Sequence, residues 1–73
     1  MPRELPVQKR LGARLKALRA ESGMSQMDLV RDHGWSLSHY QKLERGALDC
    51  RLTTLEALAE SFEVSLAELL EDV

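Results

Sequence analysis

Ser38, Lys42 and Arg45 follow one another at spacings of four and three residues, so on a helix they share one face, with His39 and Gln41 on its flanks. At about 100° per residue, Tyr40, Leu43 and Ala47 fall on the opposite side, with Glu44 beside them. The outward face therefore holds hydrogen-bond donors, acceptors and cations, and no acid. Its chemistry is that of polyanion and base recognition. Lys and Arg neutralise phosphates and release condensed counterions, while Ser, His, Gln and Lys match the donors and acceptors that base edges present in a major groove. Upstream, a helix opening at Gln26 would aim the free amides of Gln26 and Met27 at an anion. A merely solvated surface helix shows the same polar face, so these residues alone leave both readings open.

Other chemistries find less support. His33, His39 and Cys50 are the only soft metal ligands, and their separations match no common zinc pattern. No metal or other cofactor is expected. One cysteine excludes an internal disulfide, and its neighbours Asp49 and Arg51 make no setting that stabilises a thiolate. Serine, histidine and aspartate all occur, but without a nucleophile elbow or a Gly-rich phosphate loop after a strand. No catalytic residues are expected, and the chain reads as a non-enzyme.

The elements that must position the polar face are helices. Val7, Leu11, Leu15 and Leu18 form one stripe of a first helix that stops near Ser22 and Gly23, its other faces carrying Lys9, Arg10, Arg14, Lys16 and Arg19. Ser25 with Asp28, Thr53 with Glu56, and Ser65 with Glu68 have the spacing of capping boxes. Met24 with Leu29 and Val64 with Leu69 add hydrophobic staples to two of them. Ser36 opens a further helix just after Gly34, which predicts helices over 26–33 and 37–45 joined by a very short turn. A fourth, over 53–61, buries Leu55, Leu58, Ala59 and Phe62, and a fifth begins at Leu66. No alternating β-branched run argues for a strand, so the expected class is all-α.

With 73 residues, 44% hydrophobic and 30% charged, the chain is expected to be one domain over residues 1–73, its core about 7–72. So small a core is usually helped by regular helix packing or a partner subunit. The net charge of −2 hides an asymmetry: residues 1–46 hold nine basic and five acidic side chains, residues 47–73 one and seven. Such a split suits a polyanion at the front half, although drift of surface charge gives the same pattern. Residues 1–11 contain no apolar run of the signal-peptide kind, and no later stretch is long enough to span a bilayer. A cytoplasmic location is expected, without a membrane partner.

The ordered run of residues 11–19, then Gly23-Met24-Ser25-Gln26, Leu29, Gly34-Trp35-Ser36, Tyr40-Gln41-Lys42-Leu43-Glu44-Arg45-Gly46, Leu52-Thr53-Thr54-Leu55 and residues 64–70 closely resembles the Cro/phage-repressor (Xre-like) helix-turn-helix family. The resemblance covers about residues 9–71. It implies a compact five-helix bundle of the lambda-repressor-like type, helices two and three forming the helix-turn-helix. It further implies a transcriptional regulator, a repressor or controller, that binds double-stranded DNA as a homodimer on a palindromic operator through residues 37–45.

Carried onto this chain, the resemblance implies DNA-binding roles for Gln26, Ser36, Leu37, Ser38, His39, Gln41, Lys42 and Arg45. Gln26 would contact the DNA backbone and help orient a reading side chain. Arg45 and the amides near Gly46 would form a phosphate-contacting corner. Arg19 and Glu44 match an internal ion pair that ties the first helix to the third. Leu37 could touch a thymine methyl or pack at the core edge, and Trp35 is expected to cap the core. Leu66, Leu70 and Val73 are the expected dimer contact. The alternative from a different class is an antitoxin or adaptor that uses its acidic and apolar C-terminal face on a protein partner.

Overall fold

The computed structural model describes residues 5–73; residues 1–4, including the Arg3 and Glu4 of the charge balance, lie outside the described residues. Helices are α1 (Val7–Glu21), α2 (Gln26–His33), α3 (Leu37–Glu44), α4 (Leu52–Ser61) and α5 (Leu66–Leu69), with no strand among the described residues.

Local chemistry sets most of the boundaries. At α2 the Ser25 hydroxyl accepts from the Asp28 amide at 3.0 Å, and the Asp28 carboxylate accepts from the Ser25 amide at 3.0 Å. Ser65 and Glu68 repeat this reciprocal pair at α5, at 3.0 and 3.3 Å. Both boxes satisfy amides that a helix start otherwise leaves unpaired. The expected Thr53 box does not form. The N-cap of α4 is Arg51, two residues before Thr53, and it makes no side-chain cap. That shift moves Thr53 into the first turn, where its hydroxyl is out of the capping position.

Inside, Leu15 and Leu18 of α1 meet Leu29 and Val30 of α2, Tyr40 and Leu43 of α3, Leu55, Leu58 and Ala59 of α4, Phe62, and Leu69 of α5. Leu11, Trp35, Leu37, Leu66 and Leu70 pack against this cluster at its edge. Val7, expected at the head of the α1 stripe, stands 51% exposed because the first turn of α1 reaches past the core. Ala47 is exposed as well, since α3 has ended before it. Trp35 stacks on His33 with ring centroids 4.2 Å apart, and His33 Nε2 lies 2.5 Å from Ser61 Oγ, linking the end of α2 to α4.

The frame that holds α3 is its contact with α1, and two glycines permit it. A Cβ on Gly12 would meet the Leu43 carbonyl oxygen at 2.8 Å and the Glu44 carbonyl carbon at 2.9 Å. Both are backbone atoms that no rotamer change can move. Gly46 has φ of +73°, and a Cβ there would lie 2.6 Å from Lys9 Cα. Only glycine combines that conformation with so close an approach.

Helix α1 also grips α5 through its cations. Arg14 donates to the carbonyls of Leu69 at 3.1 Å and Glu68 at 2.6 Å, and Arg10 donates to the Val73 carbonyl at 2.9 Å. The Glu68 and Leu69 carbonyls close the last helix, where a cation is favourable. Arg10 and Arg14 thus serve the contact with the C-terminal segment rather than a free basic face.

Candidate nucleic-acid interface

The short turn of Gly34, Trp35 and Ser36 sets α3 across α2. Ser36 caps α3, its hydroxyl accepting from the His39 amide at 3.3 Å. Tyr40 and Leu43 then point into the core, which leaves Ser38, His39, Lys42 and Arg45 exposed together. Leu37 is half-buried and packs at the core edge. No acid of α3 shares this outward face, and Asp49 lies at its edge, lining a pocket with His39.

Behind it lies an anchored polar cluster. Arg19 Nε donates to Glu44 Oε2 at 2.7 Å, and Arg19 Nη2 to Glu44 Oε1 at 3.3 Å. A third Arg19 bond reaches the Met24 carbonyl at 3.1 Å. The pair is largely removed from water, with side chains 17% and 5% exposed. Burial alone would raise the Glu44 carboxyl, but its interactions with Arg19, then Tyr40 and Gln26, outweigh it and hold the group below its ordinary value of 4.5. The bond to Glu44 correspondingly holds the Arg19 guanidinium charged more firmly than usual. Tyr40, fully buried beside the pair, has its phenol pushed upward by burial and stays neutral.

Two glutamines extend the cluster toward the surface. Gln26 Nε2 donates to Glu44 Oε1 at 3.1 Å, and Gln41 Nε2 donates to Gln26 Oε1 at 3.2 Å. An open groove of about 590 Å³ runs over them, lined by Lys16, Ser25, Gln26, Gln41 and Arg45 around the ion pair. Helical phase alone set Lys16 among several α1 cations; the fold brings it to the groove edge. The amides of Gln26 and Met27 have no internal acceptor among the described residues, so the start of α2 faces outward with two free donors.

The corner at Gly46 differs from what the resemblance implied. The Gly46 amide donates to the Leu43 carbonyl at 3.1 Å and the Ala47 amide to the Lys42 carbonyl at 2.9 Å. This pairing closes the C-terminus of α3 as a Schellman motif. Those amides are already spent on the helix end, and the Arg45 side chain is what remains at that corner for a phosphate.

Leu66, Leu70 and Val73 do not form one exposed stripe. Leu66 and Leu70 lean on the core, while Leu70 and Val73 rim an apolar depression of about 260 Å³ with Val7, Leu11 and Leu55. Cys50 is half-buried, which pushes its thiol up. No three His, Cys, Asp or Glu side chains converge among the described residues, and no helix there is long and apolar enough to cross a membrane.

Comparison with known proteins places this geometry. A search of curated proteins found no significant match. Among solved structures, the Clp gene regulator ClgR from C. glutamicum superposes with a TM-score of 0.87 at 25% identity, covering 97% of this chain and 91% of that one. A hypothetical transcription factor, NHTF from Neisseria, superposes with a TM-score of 0.79 at 27% identity, covering 96% and 85%. A family model described as a helix-turn-helix domain matches residues 10–71. With that match over most of its length and this fold, the chain belongs to the helix-turn-helix domain family of DNA-binding transcription regulators.

Proposed function

We propose that the chain is a sequence-specific regulator of transcription that binds double-stranded DNA as a homodimer on a palindromic operator, with α3 in the major groove. The observation that carries this reading is the joint exposure of Ser38, His39, Lys42 and Arg45 on a face to which α3 itself contributes no acid, beside the free amides that open α2. Lys42 and Ser38 read base edges, Arg45 and Lys16 neutralise phosphates, and the α2 amides fix the register on the backbone. Regulation is of the repressor or controller type, in which occupancy of the operator excludes or positions other proteins.

Dimerisation follows from size and from surface. A two-fold-related pair of α3 helices reads two half-sites one helical turn apart, about 34–36 Å. The apolar depression rimmed by Leu70 and Val73, with Val7 of α1 51% exposed on its lining, supports a self-complementary contact.

Selection from a random duplex library tests the reading. A palindrome with half-sites one turn apart is expected, and Lys42→Ala or Ser38→Ala is expected to relax the preference at individual base pairs by about 1–3 kcal/mol. Enrichment of no duplex, together with retention of a protein partner, would replace the regulator by an adaptor.

A further inference from the structure

Histidine is the side chain that ordinarily changes charge between about pH 5 and 8, and the fold treats the two histidines of this chain differently. His33 is engaged inside the protein, stacked on Trp35 and bonded to Ser61. His39 stands exposed in the first turn of α3, on the outward face with Ser38 and Lys42. Its backbone amide is used by the Ser36 cap, while its ring has no hydrogen-bond or ionic partner among the described residues. Lys42 lies one turn further along α3, and Asp49 and Arg51 share the pocket that His39 lines with Trp35 and Cys50. Lys42, Arg51 and the positive end of α3 oppose a charge on the ring, whereas Asp49 favours one. Asp49 is held toward α1 by Gln8, whose Nε2 donates to its Oδ1 at 2.6 Å, and it makes no ion pair with His39. Cys50 stays a neutral thiol, because burial pushes it up. The largest electrostatic change that can reach this ring is therefore the arrival of a polyanion on α3.

We propose that His39 couples operator binding to pH: its imidazole takes up one proton as α3 enters the groove and then pairs with a backbone phosphate, so that mild acid tightens the complex. This inference rests on the DNA-reading role of α3 and deepens it by naming a way in which that surface is regulated. The proton comes from solvent and adds to the free ring nitrogen, after which both nitrogens donate. A phosphate beside an exposed imidazolium favours the charged form roughly tenfold. Because the bound state holds the proton more firmly than the free state, affinity rises as pH falls. The protonated ring also neutralises one more phosphate, which steepens the salt dependence in acid. The Arg19–Glu44 pair plays no part in this range, since the Glu44 carboxyl is held below 4.5 and stays charged.

The test is the affinity of the full chain for its selected duplex at about pH 6 and pH 8, each across a salt series, beside His39→Gln, His39→Lys and His33→Gln variants of unchanged melting temperature. The parent chain is expected to bind about five- to tenfold tighter in the acid buffer, with a slope of log K against log salt steeper by up to about 0.9. His39→Gln is expected to bind equally in both buffers with the shallow slope. His39→Lys, permanently charged, is expected to keep the steep slope in both, and His33→Gln to behave as the parent does. The proposal is overturned if the parent binds equally in both buffers or more tightly in the alkaline one, or if the pH dependence survives in His39→Gln or vanishes in His33→Gln. Each of those results leaves the regulator reading standing, because a duplex has been selected and bound. A parent chain that selects no duplex in either buffer removes that reading and this one together.

Discussion

Glu44 is the residue on which the interface depends, since it ends α3, holds Arg19 of α1 and orients Gln26 of α2. Folding lowers its carboxyl below the ordinary 4.5, so its contribution is complete above that pH and is lost as pH falls through the folded-state value. Urea denaturation followed from pH 7 to 3 is expected to show stability dropping in the acid limb. The drop should be shallower in an Arg19→Met/Glu44→Leu double variant, which has no such pair to protonate. Arg19→Met alone is expected to cost about 3 kcal/mol at neutral pH, because a carboxylate whose side chain is 5% exposed would lose its counter-charge. An unchanged denaturation midpoint would mean that water already serves Glu44.

At the scale of the elements, the decisive contact is α1 against the end of α3. Replacing a mid-helix glycine with alanine ordinarily gains about 1 kcal/mol in helix propensity. At Gly12 the added methyl would press on backbone atoms at 2.8–2.9 Å, and overpacking of that kind costs about 1–3 kcal/mol. Gly12→Ala is therefore expected to lower the melting temperature despite its better propensity, and a rise would contradict the close approach. Much of this architecture was legible beforehand, because its cues are local. The hydroxyl and acid three residues apart at Ser25 and Ser65, and the glycine before Ser36, specify their boundaries without help from the rest of the chain. Thr53 carried the same cue, yet Leu52 takes the first turn of α4 and no hydroxyl caps it. The grip of Arg10 and Arg14 on α5 joins residues more than fifty positions apart, which periodicity cannot foresee. Of the candidate site, the exposed face of α3 followed from helical phase, and the Arg19–Glu44 pair came from the family resemblance. The bonds that join Gln41 to Gln26 and Gln26 to Glu44 depend on tertiary geometry that residue spacing does not carry, and the resemblance implied a phosphate corner at the amides near Gly46 without regard to the helix end that uses them.

For the whole molecule, the uneven charge of the chain divides into two uses. Arg10, Arg14 and Arg19 are committed to carbonyls and to Glu44, whereas Lys16, Lys42 and Arg45 face the groove or the outer side of α3. Salt dependence of duplex binding separates the two groups. Lys16→Ala and Arg45→Ala are each expected to reduce the slope of log K against log salt by about 0.9, for the one phosphate contact each loses. Arg14→Ala is expected to lower stability and leave that slope unchanged; a reduced slope would place Arg14 on the DNA. The claim beneath all of this is that α3, with the start of α2, is the surface that meets the double helix. Amide chemical shifts recorded while a selected duplex is titrated into labelled protein test it most directly. Shifts concentrated on residues 25–27 and 36–45 are the predicted result, and shifts confined to α4 and α5 would contradict it.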